Sequence, residues 1–153
     1  MVHIPADIKK QLFSYCLEYL EQKRSSLQAA LQMAREAVED DGKSTAGDKH
    51  ETGRAMAQLE QEKLSGQFTE LEKAQQVLDQ IDPSAENTKI KLGSVVFTSN
   101  GNYFIAISAG KKEIDQAVFF IVSPNSPIGQ ALINSNGKEF SFNGRSAAIL
   151  RMI

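Results

Sequence analysis

The stretch Glu39–Gly53, EDDGKSTAGDKHETG, decides how the first half of the chain folds. Five of its fifteen residues are acidic and three are glycine. Such a segment reads as a solvated turn between two helices. Upstream, from Ala6 to Glu39, Phe13, Leu17, Leu20, Leu27, Leu31, Ala34 and Val38 recur at spacings of three and four, with Arg24 in the vacant place. That is a heptad seam. Pro5 suits a helix start. Downstream, from about Lys49 to Ile81, Leu64, Phe68, Leu71 and Leu78 form a second seam with Gln75 at one position. Pro83 ends it, since the residue before a proline is biased away from helix. The expectation is an antiparallel helical hairpin with arms of roughly 45–50 Å at ~1.5 Å per residue.

After Pro83 the period changes. Gly93–Thr98, Tyr103–Ser108, Gln116–Val122, Glu139–Phe142 and Ala147–Ile153 are rich in Val, Ile, Phe and Tyr, which favour strands. Ser99-Asn100-Gly101-Asn102 and Asn143-Gly144 read as hairpin turns. Ser126-Pro127 reads as an N-cap and first helical residue of a short helix through about Ile133, closed by Asn136-Gly137. The fold class is therefore α+β. A coiled-coil hairpin over residues 1–83, with its acidic tip at 39–51, precedes a small antiparallel sheet domain over 84–153 with one short helix. Ser84–Lys89 reads as the linker.

The chain has 153 residues and a net charge of −2. Residues 1–83 carry ten Lys/Arg against fifteen Asp/Glu; residues 84–153 carry seven against four. The halves present opposite fields to a partner, and neither is basic enough to indicate nucleic-acid binding by itself. No apolar run approaches the ~20 residues of a membrane span. The start, MVHIPADIKK, lacks the apolar core of a signal peptide. Cys16 is the only cysteine, which excludes an internal disulfide and fits a reducing compartment. A cytoplasmic monomer without membrane contact is expected.

Glu39, Asp40, Asp41, Asp48 and Glu51 gather carboxylates at the tip. The plainer reading makes Asp48 an N-cap and Glu51 its N3 partner, close to a capping box. The sharper reading is a cation site. One or two carboxylates hold Mg²⁺ when substrate phosphates and waters complete its octahedron. His50 between these acids reads as solvated, and Cys16 as a small packing residue, because no group that would activate the thiol stands near it in sequence.

Two motifs bear a family resemblance. VSPNSPIGQALI (Val122–Ile133) is similar to the SPIG[RK]AL signature of the bacterial GreA/GreB transcript cleavage factors, and AGDKHETGRAMAQLEQEK (Ala46–Lys63) resembles their GDLSENAEYxAAKEEQ tip pattern. The resemblance implies an FKBP-like C-terminal domain. It also implies docking on bacterial RNA polymerase through Ser123, Pro124, Ser126, Pro127, Ile128 and Gly129. The coiled coil would enter the secondary channel. There Asp48 and Glu51, with Asp40 and Asp41 as second candidates, would help hold a Mg²⁺ shared with the polymerase, not bound stably alone, close to the nascent RNA. The factor would be no enzyme in itself. Arg54 stands where the family has a third acid, and Ala55 where it has a tyrosine, so the outcome implied is either stimulated cleavage or inhibited transcription.

Two other functions follow from the same residues. One is a coiled-coil adaptor with no metal role. The other is a peptidyl-prolyl isomerase, which needs an aromatic-lined pocket. Phe97, Tyr103, Phe104, Phe119, Phe120, Phe140 and Phe142 are available for one, although alternation sends several of them into the core.

Overall fold

The computed structural model describes residues 4–42 and 47–153, with side chains outside 40–51. The element order is α1 (Ile8–Gly42), α2 (Gly47–Asp79), β1 (Val95–Thr98), β2 (Gly101–Ile105), β3 (Gly110–Ile114), β4 (Ala117–Val122), α3 (Pro127–Ile133), β5 (Glu139–Phe142) and β6 (Arg145–Met152). The fold is α+β: two long helices that pack on each other precede a six-stranded sheet with one short helix. Among the described residues no helix is long and apolar enough to cross a membrane.

The chain divides into two compact units, Leu20–Gln75 and Met1–Tyr19 with Gln76–Ile153. Among the described residues the first is purely helical. Leu20 and Ala34 of α1 and Leu64 and Leu71 of α2 are buried, while Leu27, Leu31, Val38 and Phe68 are half-buried. These are heptad positions read from the sequence. Arg24 also lies on the seam, its side chain 33% exposed and its Nη1 3.2 Å from Glu21 Oε2.

In the second unit the seam differs from the expected one. Leu17 is 40% exposed and Phe13 only half-buried, whereas Ile8, Leu12 and Cys16 are buried. The heptad reading fails here for a physical reason. Near its foot α1 belongs to a unit that also contains the sheet, so its buried stripe follows an i, i+4 row suited to that surface. Tyr15 shows the contact: its hydroxyl donates to Ala109 O at 3.3 Å, and Lys112 Nζ lies 5.3 Å from its ring centroid. Lys9 is 6% exposed, and its ammonium donates to Ala85 O at 2.7 Å. Desolvation lowers its pKa against the opposing pull of Glu86 and Asp82.

The sheet order is β3-β4-β2-β1-β6-β5. All pairs are antiparallel except β2 with β4, which run parallel, a departure from the all-antiparallel expectation. Strand β3, GKKEI, was not foreseen either. It is an edge strand with only Ile114 buried, so the sequence carries no apolar alternation to reveal it. One face of the sheet carries Val96 and Ile105, packed with Ile90, Leu132, Phe140 and Ala147. The other carries Val95, Phe104, Phe119 and Ile121, all at most 2% exposed. Phe119 meets Phe97 edge-on with ring centroids 5.9 Å apart. A bulge at Phe97/Thr98 shifts the register between β1 and β6. Ser99 closes the gap: its N–H donates to Ala148 O, and its hydroxyl accepts from Ala148 N, both at 2.9 Å.

Two hairpin turns have both central residues at positive φ, the type I′ arrangement that matches strand twist. Asn143 (φ 52°) and Gly144 (φ 74°) join β5 to β6 as their sequence predicts. Asp115 (φ 49°) and Gln116 (φ 70°) join β3 to β4 with no glycine. Aspartate tolerates the left-handed region better than glutamine does. Gln116→Gly is therefore expected to stabilise the chain by about 0.5–1 kcal/mol, read as a higher urea midpoint with an unchanged slope. An unchanged or lower midpoint would show that Gln116 is not strained there.

Candidate functional site

Two regions of the chain carry the candidate residues. The first is the junction of α1 and α2. Helix α1 continues through Asp40 and Asp41 to Gly42, and α2 starts at Gly47, before Asp48. Most of the turn expected at Glu39–Gly53 is therefore helical, and residues 43–46 lie outside the described residues. Asp48 is the second helical residue rather than the N-cap, and Glu51 follows one turn later. Helix ends shift readily by a residue or two, and acids in a first turn complement the helix dipole without capping it. Asp40 and Asp41 occupy the last turn of α1. The backbone thus assigns these four acids to the end of one helix and the start of the next. Their side chains, and that of His50, are outside the described ones. Among the described residues no cluster of three or more His, Cys, Asp or Glu is placed to hold a metal.

As donors the four acids suit Mg²⁺. They are hard oxygen ligands, and no thiolate or described imidazole competes with them. Cys16 is fully buried, and burial pushes its thiol pKa up to about 12. A protonated, inaccessible sulfur is neither nucleophile nor ligand. It fills space in the apolar stripe of α1.

The second region is the turn from β4 into α3, built by local chemistry in VSPNSPIG. Ser123 Oγ accepts from Asn125 N at 3.1 Å and so bends the chain as it leaves β4. Ser126 is the N-cap, with φ −69° and ψ 156°. Its Oγ accepts from Gly129 N at 3.1 Å and donates to Ser123 O at 2.6 Å. Pro127 follows at the first helical position, where its missing N–H costs nothing. Gln130 Nε2 reaches back to Pro124 O. Gly129 is buried, and a Cβ there would clash with the Ser123 carbonyl oxygen. Of the six residues expected to dock, Pro127 is exposed, Gly129 is buried, and Ser123, Pro124, Ser126 and Ile128 are half-buried. The turn is thus a partly accessible surface in which Asn125 N, Ser126 N, Gly129 N and the Ser123 and Pro124 carbonyls are already paired. At its far end α3 stops at Ile133, as expected, with Asn134 rather than Asn136-Gly137 as its C-cap. Asn136 instead orders the loop, its Oδ1 accepting from Lys138 N at 2.8 Å and Glu139 N at 3.0 Å.

A cleft of about 380 Å³ lies beside this turn, lined by Ile128, Tyr103, Phe140, Phe142 and Ala147 with Asn100, Asn143 and Arg145. Sequence reasoning counted its aromatics but did not join them into a site. The signal that could have found them is the cross-strand register Phe140↔Ala147 and Phe142↔Arg145, which follows from the Asn143-Gly144 turn. Comparison of the chain with family models, curated proteins and solved structures returned no match.

Proposed function

We propose that the chain is a transcription factor of the Gre type that binds bacterial RNA polymerase and acts through the polymerase active site. The observation that carries this reading is the order of parts. A pair of helices of 35 and 33 residues, joined at an acid-rich stretch, precedes a sheet unit in which SPNSPIG forms an N-capped turn between a strand and a short helix, with a hairpin after it. A 35-residue helix spans ~50 Å, long enough to carry carboxylates deep into a channel.

In this reading the 123–129 turn meets the polymerase, in an FKBP-like domain, and Asp48 and Glu51, seconded by Asp40 and Asp41, face its active centre. When bound there, Mg²⁺ would supply a polarised water and neutralise charge on the RNA phosphate. The carboxylates contribute negative charge and oxygen ligands. With Arg54 and Ala55 beside them, a cation and a methyl group replace groups that would assist, which favours occupation of the channel over fast cleavage. The protein would act in the cytoplasm, where polymerase works.

The test has two stages. The tagged full chain should capture RNA polymerase from a bacterial lysate. It should then change cleavage or extension of RNA in stalled, backtracked complexes. Asp48→Ala combined with Glu51→Ala should reduce that change about 10–100-fold and leave capture intact. Equal loss of capture and helix content would reduce these acids to helix-start residues. Failure to capture polymerase at all would favour a coiled-coil adaptor for another partner.

A further inference from the structure

Apart from Ile128, the residues of the cleft beside α3 have no part in the polymerase reading. Four separate elements build it. Pairing of Phe140 with Ala147 and of Phe142 with Arg145 puts these four on one face of the β5–β6 hairpin. Tyr103 comes from β2, its ring edge-on to Phe140 with centroids 6.1 Å apart. Ile128 comes from α3 and Asn100 from the β1–β2 turn. Its volume of about 380 Å³ falls in the range of roughly 300–1,000 Å³ usual for ligand sites.

Its polar groups share two properties. None is acidic, and Arg145 is the only charged one. Among the described residues none is engaged through its side chain: Arg145 makes no ion pair, and the Tyr103 hydroxyl and the Asn100 and Asn143 amides make no hydrogen bond. Asn100, Asn143 and Arg145 are exposed, so their polar groups face solvent and are open to a ligand. A guanidinium and two amides rimming an aromatic floor are complementary to a carboxylate carried next to a large apolar side chain.

We propose that this cleft binds an acidic peptide segment, in which an Asp or Glu pairs with Arg145 while the neighbouring apolar side chain lies on Tyr103, Phe140 and Phe142. The site is open enough to admit a side chain and a stretch of backbone, and the hairpin that forms its wall is held by a regular ladder.

The test uses the isotope-labelled full chain and two capped dipeptides, acetyl-Phe-Glu-amide and acetyl-Phe-Gln-amide. The Glu peptide should produce saturable amide shifts confined to residues 100–103, 128–129 and 140–147. It should bind roughly three- to fivefold tighter than the Gln peptide, the scale of a solvent-exposed ion pair. Arg145→Gln, an exposed position, should leave the rest of the spectrum in place and make the two peptides equal. Shifts that do not saturate, shifts centred elsewhere, or equal binding of both peptides to the unaltered chain would overturn the proposal, as would discrimination that survives Arg145→Gln.

Discussion

Gly129→Ala is expected to destabilise the chain by about 2–4 kcal/mol, against the usual direction for a helical glycine. Alanine is ordinarily better than glycine inside a helix by up to about 1 kcal/mol. Here the added methyl has nowhere to go. It would clash with the Ser123 carbonyl oxygen and stand 2.9 Å from Ser126 Oγ. Both atoms are fixed by the bonds of the turn. Ser123 O accepts from Ser126 N at 3.1 Å and from Ser126 Oγ, and Ser126 Oγ accepts from Gly129 N. Relief of the clash requires that the cap open, which breaks these bonds together and displaces Leu132, a fully buried member of the core on that face. Gly66 in α2 supplies the control, because a Cβ there meets nothing within 4 Å. Gly66→Ala should raise the urea midpoint by the equivalent of about 0.5–1 kcal/mol while Gly129→Ala lowers it. Equal effects at the two glycines would show that the 123–129 turn yields easily. In the polymerase reading, Gly129→Ala also weakens capture under conditions where the chain is still folded, because the docking surface is the distorted segment.

What the sequence made legible follows from how local each signal is. Ser126-Pro127 and Asn143-Gly144 act within four residues, and the helix start and type I′ turn appear where they were read. The seam from Leu20 to Val38 is legible because two helices present one narrow stripe to each other. The shift to Leu12 and Cys16 was hidden, because the foot of α1 shares its compact unit with Gln76–Ile153, far away in the sequence. The turn at Asp115-Gln116 was hidden for the opposite reason, since its second residue, Gln116, disfavours the left-handed geometry it adopts. The parallel pairing of β2 with β4 follows from the insertion of β3 between them, and β3 carries no apolar pattern. Of the candidate site, the acids are obvious as composition, and their helical placement could be judged only to within a turn. The cleft required knowing which residues of β2, β5, β6 and α3 share a face.

Leu78→Ala should cost about 3–4 kcal/mol, and removal of the helices should abolish cooperative folding of the sheet. Leu78 is fully buried near the end of α2 and belongs to the same compact unit as the strands. So do Ile8, Leu12 and Cys16 of α1, each at most 1% exposed. Ile81 follows in the loop, where its Cγ2 would lie 3.2 Å from a Cβ at Gly93, the turn that leads into β1. Each large apolar side chain removed from water contributes about 1.5–3 kcal/mol, so four or five of them rival the ~5–15 kcal/mol net stability of a whole domain. The sheet also needs cover for Val95, Phe104 and Phe119, which are fully buried. A fragment of residues 84–153, cut where proline changes the periodicity, keeps every strand but loses these partners. It should show a shallow urea transition and bind a hydrophobic dye, whereas the full chain unfolds steeply. Leu78→Ala in the full chain should lower the midpoint for strand amides and the feet of the helices together, as hydrogen exchange reads them. A fragment with the midpoint and slope of the full chain's sheet would show that the helix feet add nothing to it, and the unit would then end at the proline after all.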